Sequence, residues 1–241
     1  MARVLLPLPD RDFDTTEVAI PWALLRRAGH TVHFATEGGA VPETDPLLLT
    51  GVVFGQLGAR DEAKARYVEL REDPEFLRPT PWNEAEPSTF DGLWLAGGHA
   101  RGMRPYLESE RVRVIVRAMW SGPVAAICHG VLVAARAGVL RDRHTTCLPR
   151  FMEQAAWMVT AWKLGSYYRT YPEWVEDEVR ATGCHFARGP LSADYAAPFV
   201  VEDGQYLSAR WPGDAAALAG RFGELLAEAK RRDGEASREG A

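Results

Sequence analysis

Residues 124–131, VAAICHGV, constrain this chain more than any other stretch. Four small or apolar residues run directly into Cys128, His129 and Gly130, and a helix-compatible run follows to Ala137. The pattern predicts a buried parallel strand, a one-residue turn and a helix start. Gly130 would let the strand and helix backbones approach closely. An elbow of this kind presents one side chain at the C-terminal edge of a sheet, where open α/β folds bind ligands. That side chain is Cys128. At a helix N-terminus the unpaired N–H groups and the dipole favour a thiolate, so the thiol is expected below its usual ~8.5.

The rest of the chain supplies a parallel sheet for that elbow. Residues 3–8 read as a strand, and residues 14–17 (DTTE) as a helix start with polar caps and an acid in the first turn. Val18, Trp22 and Leu25 give that helix an apolar face, and Pro21 is expected to bend it or to mark a second start. Gly29 stops it, and residues 31–36 form the next strand. Residues 40–88 break the rhythm with many prolines and read as an insertion packed on the main sheet. Residues 90–96 form a strand ending in the tight turn Gly97-Gly98-His99, and Val112, Ile115, Val116 and Met119 mark a helix. Residues 144–148 form a short strand, residues 173–181 a helix, and Asp203-Gly204 joins two strands in a hairpin. Leu218, Phe222, Leu225 and Leu226 define a closing amphipathic helix, and a charged tail from Arg231 is expected to be disordered. The expectation is one α/β domain over residues 1–230, with insertions at about 40–88 and 150–175 and a tail at 231–241.

Composition narrows the partners. The net charge is −5 with no dense basic cluster, which argues against a nucleic-acid footprint. No apolar run approaches the ~18 residues of a membrane span, and residues 1–7 read as the first strand, not as a signal peptide. Cys128, Cys147 and Cys184 are an odd, sparse set without CxxC spacing, which fits a reduced cytoplasm. No His, Cys, Asp and Glu spacing resembles a metal site.

A cysteine nucleophile needs a route for its proton, donors for a developing oxyanion and a group that moves protons. The backbone N–H groups of His129 and Gly98 are the candidate donors. Glu17 is the candidate acid, because a carboxyl desolvated beside a thiol tends to stay protonated. His129 reads either as a base or as an amide donor only; His99 and His144 are placed near the same edge. Each reading has a plainer rival. A strand cysteine is commonly an inert small hydrophobe, and an acid in a first turn commonly complements only the helix dipole. Cys147 and Cys184 read as structural. The aromatic run at 151–174 reads as core, dimer interface or pocket wall.

Several motifs together carry a family resemblance: Thr16-Glu17-Val18-Ala19-Ile20-Pro21-Trp22, Ala28-Gly29-His30-Thr31-Val32, Asp91-Gly92-Leu93-Trp94-Leu95-Ala96-Gly97-Gly98-His99 and Ala126-Ile127-Cys128-His129-Gly130. In this order and spacing the chain resembles the ThiJ/PfpI superfamily, in particular its larger chaperone/glyoxalase III-like branch. The resemblance implies a class I glutamine amidotransferase-like fold, a flavodoxin-like three-layer sandwich. It implies Cys128 as nucleophile, Glu17 as the acid contacting it, His129 as a further catalytic residue, and Gly97, Gly98, His99 and His129 around the substrate. That branch completes a Cys-His-Asp triad with an acid after the next strand. Arg150 stands there instead, with Glu153 one turn on as a substitute. Glutamine amidotransferases use a downstream His-x-Glu, whereas His185 is followed by Phe186-Ala187, so no glutaminase activity is expected. The implied protein is a cofactor-independent homodimer acting on a small electrophile as a hydrolase, hydratase or glyoxalase-type lyase. The alternatives are a redox-responsive or chaperone-like protein with an oxidisable Cys128, and a binding-only domain marked by an inaccessible thiol.

Overall fold

The computed structural model describes the backbone of residues 1–239 and the side chains of residues 1–232. Its centre is a seven-stranded sheet made of β1 (Arg3–Pro7), β2 (Thr31–Thr36), β3 (Thr80–Pro81), β4 (Gly92–Leu95), β5 (Val124–Ile127), β6 (Val200–Asp203) and β7 (Tyr206–Ala209), in the spatial order β6-β7-β5-β4-β1-β2-β3. All neighbours are parallel except the β6–β7 hairpin. Val4, Leu5, Leu6, Leu93, Trp94, Ala125 and Ile127 are fully buried. Central parallel strands are covered on both faces, which is why they are apolar throughout and not alternating.

Helices cover both faces: α1 (Thr15–Arg27), α2 (Asp61–Leu70), α3 (Glu110–Met119), α4 (Val131–Arg136), α5 (Arg150–Leu164), α6 (Val175–Ala181) and α7 (Ala215–Glu239). α1 packs against α2 and α7, while α4 packs against α3 and α6. α1 is one continuous helix despite Pro21. Pro21 has no N–H to give the Glu17 carbonyl, and the buried indole Nε1 of Trp94 on β4 donates to that carbonyl instead, at 3.1 Å. The apparent breaker thus frees a backbone acceptor that ties the helix to the sheet.

The insertion at 40–88 contributes a short strand, Glu43–Thr44, paired with Arg11–Phe13, then α2 and the edge strand β3. Residues 165–174 connect α5 to α6 without regular structure. A second apolar cluster of Leu48, Val52, Ala59, Ala63 and Tyr168, with Trp157 packed on it, joins the two insertions. The tail expected to be disordered from Arg231 continues the helix as far as Glu239; its Arg, Glu and Ala residues favour helix, and the preceding turns of α7 nucleate the run. Residues 240–241 lie outside the described residues. Among the described residues no helix is long and apolar enough to cross a membrane.

Candidate active site

The registers Leu95↔Ala126 and Ala209↔Ile127 bring the ends of β4, β5 and β7 to one edge of the sheet. Cys128 follows β5 directly with φ +57°, a left-handed conformation that costs a non-glycine residue about 1–3 kcal/mol. A short 3₁₀ turn, Cys128–Gly130, then leads into α4. A Cβ at residue 130 would lie 2.3 Å from the Leu95 carbonyl oxygen, so only glycine fits there.

Glu17 approaches from α1. Asp14 caps that helix, its Oδ1 accepting the N–H groups of Thr16 (2.8 Å) and Glu17 (3.1 Å). Glu17 is fully buried, and its Oε2 accepts the Gly97 N–H at 2.7 Å. A Cβ built on Gly97 would meet Glu17 Oε2 at 2.8 Å, the His129 nitrogen at 2.8 Å and Cys128 Cβ at 3.0 Å. Four of the residues read from the sequence therefore converge on one point. Gly97 has its role corrected: its N–H is spent on Glu17, which leaves Gly98 as the neighbouring amide. The Gly98 N–H makes no hydrogen bond among the described residues, and a φ of +148° keeps that position to glycine.

The electrostatics differ from the sequence expectation. Burial, then the neighbouring Glu17 and Asp14 carboxyl groups, push the Cys128 thiol up; the His129 backbone N–H pulls the other way but does not win. The thiol is only 4% exposed, and one 3₁₀ turn offers less stabilisation than the helix N-terminus assumed for a lowered value. Glu17 is likewise raised well above the carboxyl range, by burial first and Asp14 second. Asp14 is pushed up to about 6 by burial. Glu17 and Cys128 are close enough for each to move the other's titration, yet Glu17 Oε1 is buried without an aligned hydrogen-bond partner. The site holds its protons at rest.

His129 is fully buried with Nδ1 3.5 Å from Cys128 Sγ, so its side chain and not only its amide faces the thiol. Its Nε2 lies 3.3 Å from Thr170 Oγ1. Burial lowers His129 to about 3, which leaves the imidazole neutral. His99 is lowered to about 3 by the same cause. Its ring stacks on Tyr168 at 4.2 Å and meets Tyr167 edge-on at 4.8 Å, and its Nε2 is buried without a partner.

Other candidates lie elsewhere. His144 is exposed at the opposite edge, its N–H bonded to Asp203 Oδ2 at 2.7 Å; the strand that carries it ends before reaching the elbow side. Arg150 is at the start of α5, with its guanidinium 3.1 Å from Asp177. Glu153 is buried, but its Oε2 accepts the Val175 N–H at 3.1 Å and caps α6. Neither substitutes for the missing acid; the group at His129 Nε2 is the hydroxyl of Thr170. All three cysteines are free thiols, Cys147 fully buried. The aromatic run divides: Tyr167 and Tyr168 reach the site, Trp157 packs in the second cluster, and Trp162 points outward against Phe54. The sequence reads Asp14 only as part of a helix start and gives no sign of Thr170 at the site, because a threonine in an irregular loop carries no local pattern. Among the described residues no three His, Cys, Asp or Glu side chains converge as a metal site requires.

The chain has relatives among known proteins. The family model described as ThiJ/PfpI family-like matches residues 8–182. An uncharacterised protein of Schizosaccharomyces pombe is 27% identical over 94% of this chain and 85% of its own length. Deglycase PfpI of Pyrococcus furiosus is 27% identical over 92% of this chain and 98% of its own. The crystal structure of glyoxalase III from Candida albicans superposes with a TM-score of 0.68 at 18% identity, covering 92% of this chain and 95% of that one, a likeness of fold. With the elbow, its buried acid and this match over most of its length, the chain belongs to the ThiJ/PfpI family.

Proposed function

We propose that the chain is a cysteine-dependent enzyme acting on a small, uncharged electrophile of the carbonyl class. The observation that carries this reading is the convergence of Glu17, Cys128 and His129 around Gly97 at a strained elbow. Strain and buried, mutually perturbed titratable groups concentrate at sites of reaction. The relatives named deglycases fit the same class of electrophile.

Attack forms the S–C bond while the thiol proton passes to His129 Nδ1 and the carbonyl π pair moves to oxygen. The Gly98 and His129 N–H groups receive that oxygen's charge. Glu17, protonated, donates a hydrogen bond to the sulfur through the oxygen left unpartnered at rest. The imidazolium then returns its proton to the oxygen. In the adduct of a ketoaldehyde, His129 Nδ1 next takes the C–H proton from the carbon bonded to sulfur and delivers it to the neighbouring carbonyl carbon, whose oxygen becomes a hydroxyl; the adduct is now a thioester, and water cleaves its C–S bond to release a hydroxy acid and the thiol. A buried, uncharged site of this kind favours an uncharged substrate, because protonated Glu17 and neutral His129 carry no charge to offset the desolvation of an ion. Cys128 is 4% exposed, the sign expected of a binding-only domain, so catalysis requires the residues that bury the thiol to move when substrate enters. Cys128→Ala should lower turnover of small aldehydes and ketoaldehydes by at least ~10³-fold, the usual scale for loss of a nucleophile. Equal turnover by wild type and variant ends this reading.

A redox-responsive role is the second reading, favoured by the free Glu17 Oε1, which would donate to a sulfinate oxygen on Cys128. An intact Cys128 thiol by mass spectrometry after mild peroxide rules it out. We also propose a homodimer in a reducing compartment, as the resemblance implies; sedimentation as a monomer at micromolar concentration overturns the assembly.

A further inference from the structure

The Thr170 hydroxyl has one proton, and its position is fixed. Oγ1 lies 2.6 Å from the backbone carbonyl oxygen of His99, a group that can only accept, so the hydroxyl donates there. The same oxygen lies 3.3 Å from His129 Nε2. With its proton committed, Oγ1 can only accept from that nitrogen. His129 therefore carries its proton on Nε2, and Nδ1, 3.5 Å from Cys128 Sγ, presents a bare lone pair. Thr170 is held in place from behind as well: Arg104 Nε donates to its carbonyl oxygen at 2.9 Å and Nη2 donates to the same atom. The residue is 1% exposed, so water does not compete for these bonds.

We propose that Thr170 is a positioning residue that fixes the His129 tautomer, with Nδ1 as acceptor of the Cys128 thiol proton, where the family resemblance leads one to expect a carboxylate. This rests on the reading of Cys128 as nucleophile and adds the device that orients its base. A hydroxyl differs from a carboxylate in one respect that matters: it orients the ring without carrying charge. An imidazolium bonded to Thr170 gains only a dipole, so the thiolate–imidazolium pair is not stored in the resting protein. The neutral state of buried His129 agrees with this. Proton transfer from Sγ to Nδ1 then accompanies S–C bond formation, and the Nε2–H stays on Thr170 throughout.

The test is the ¹⁵N NMR signature of His129 in the full chain, wild type against Thr170→Val and Thr170→Ser, together with the rate at which iodoacetamide alkylates Cys128, followed by peptide mass. Wild type and Thr170→Ser should show the Nε2–H tautomer. Thr170→Val should redistribute the proton toward Nδ1 and slow alkylation about fivefold, the scale of one lost hydrogen bond, with Thr170→Ser restoring the rate to within about twofold. A wild-type proton on Nδ1, or an unchanged tautomer in Thr170→Val, overturns the proposal; the wild-type spectrum decides even if the valine variant does not fold. A shifted tautomer with an unchanged alkylation rate overturns the role of Nδ1 as base and, with it, the function assigned to the tautomer. None of these readouts requires turnover, so a failure of the proposed enzymatic function is recognised separately, by the Cys128→Ala comparison.

Discussion

On one side of Cys128 stands Glu17, held by the first turn of a helix, by a backbone N–H from the next strand end and, through its carbonyl, by Trp94 beneath it. On the other stands His129, held by a threonine from an irregular loop that is itself pinned by an arginine. The acid side is assembled from the first turn of α1 and from Gly97 and Cys128, which lie just past β4 and β5, so regular elements position it. The base side is assembled by an insertion, so its geometry depends on how residues 165–174 pack. A substitution on the acid side should therefore damage folding and chemistry together, whereas one on the base side should change chemistry at smaller cost to stability.

The largest expected effect is on the acid side. Glu17→Ala strands the buried Gly97 N–H and opens a cavity at the elbow, so stability should fall by about 2–4 kcal/mol in chemical denaturation and turnover should fall with it. Glu17→Gln keeps an acceptor for Gly97 and a donor toward sulfur, so it should retain most of the stability; a loss as large as that of the alanine variant breaks the contrast.

Next is the pH dependence that comes from Glu153. Burial pushes its carboxyl up to about 7 from 4.5. The folded chain thus keeps a proton that the unfolded chain releases, and folding stability falls as pH rises through that window. Glu153→Gln preserves the acceptor for Val175 and has no charge to bury. Relative to wild type, its stability should rise by about 3 kcal/mol between pH 4.5 and pH 8, measured by denaturant melts at both. A constant difference would mean that the carboxylate is solvated in the folded chain.

The smallest effect is expected at Arg150. Its ion pair with Asp177 is about half exposed on both sides. Arg150→Ala should change stability by less than ~0.5 kcal/mol and leave turnover intact. A large loss of turnover would bring the position after β5's following strand, residues 144–145, back into the reaction.

How much of this was legible in the sequence divides along the same line. Cys128, Gly130, Glu17 and Gly97 each stand beside a strand end, and short-range patterns place strand ends; the parallel sheet and the Asp203-Gly204 hairpin follow from such patterns as well. Thr170 depends on the path of a loop with no periodicity, which no local pattern specifies. The thiol is pushed up where the sequence predicts a lowered value, because a helix N-terminus is a local feature of the sequence whereas burial near Glu17 and Asp14 is not. The expectation at Arg150 comes from the family resemblance, which shows where an acid is absent without showing what takes its place. The resemblance places Gly97 around the substrate, whereas its amide serves the protein's own acid.

Pro21 and Trp94 belong to the helix and strand on the acid side, and together they form a lock and its key. An ordinary residue at 21 would reclaim the Glu17 carbonyl for the helix and leave the indole N–H sealed in without a mate; removing the indole would leave the carbonyl equally stranded. The two positions are chemically interdependent, and a double exchange should be better tolerated than either alone. Anyone redesigning this edge of the sheet should treat them as a single unit.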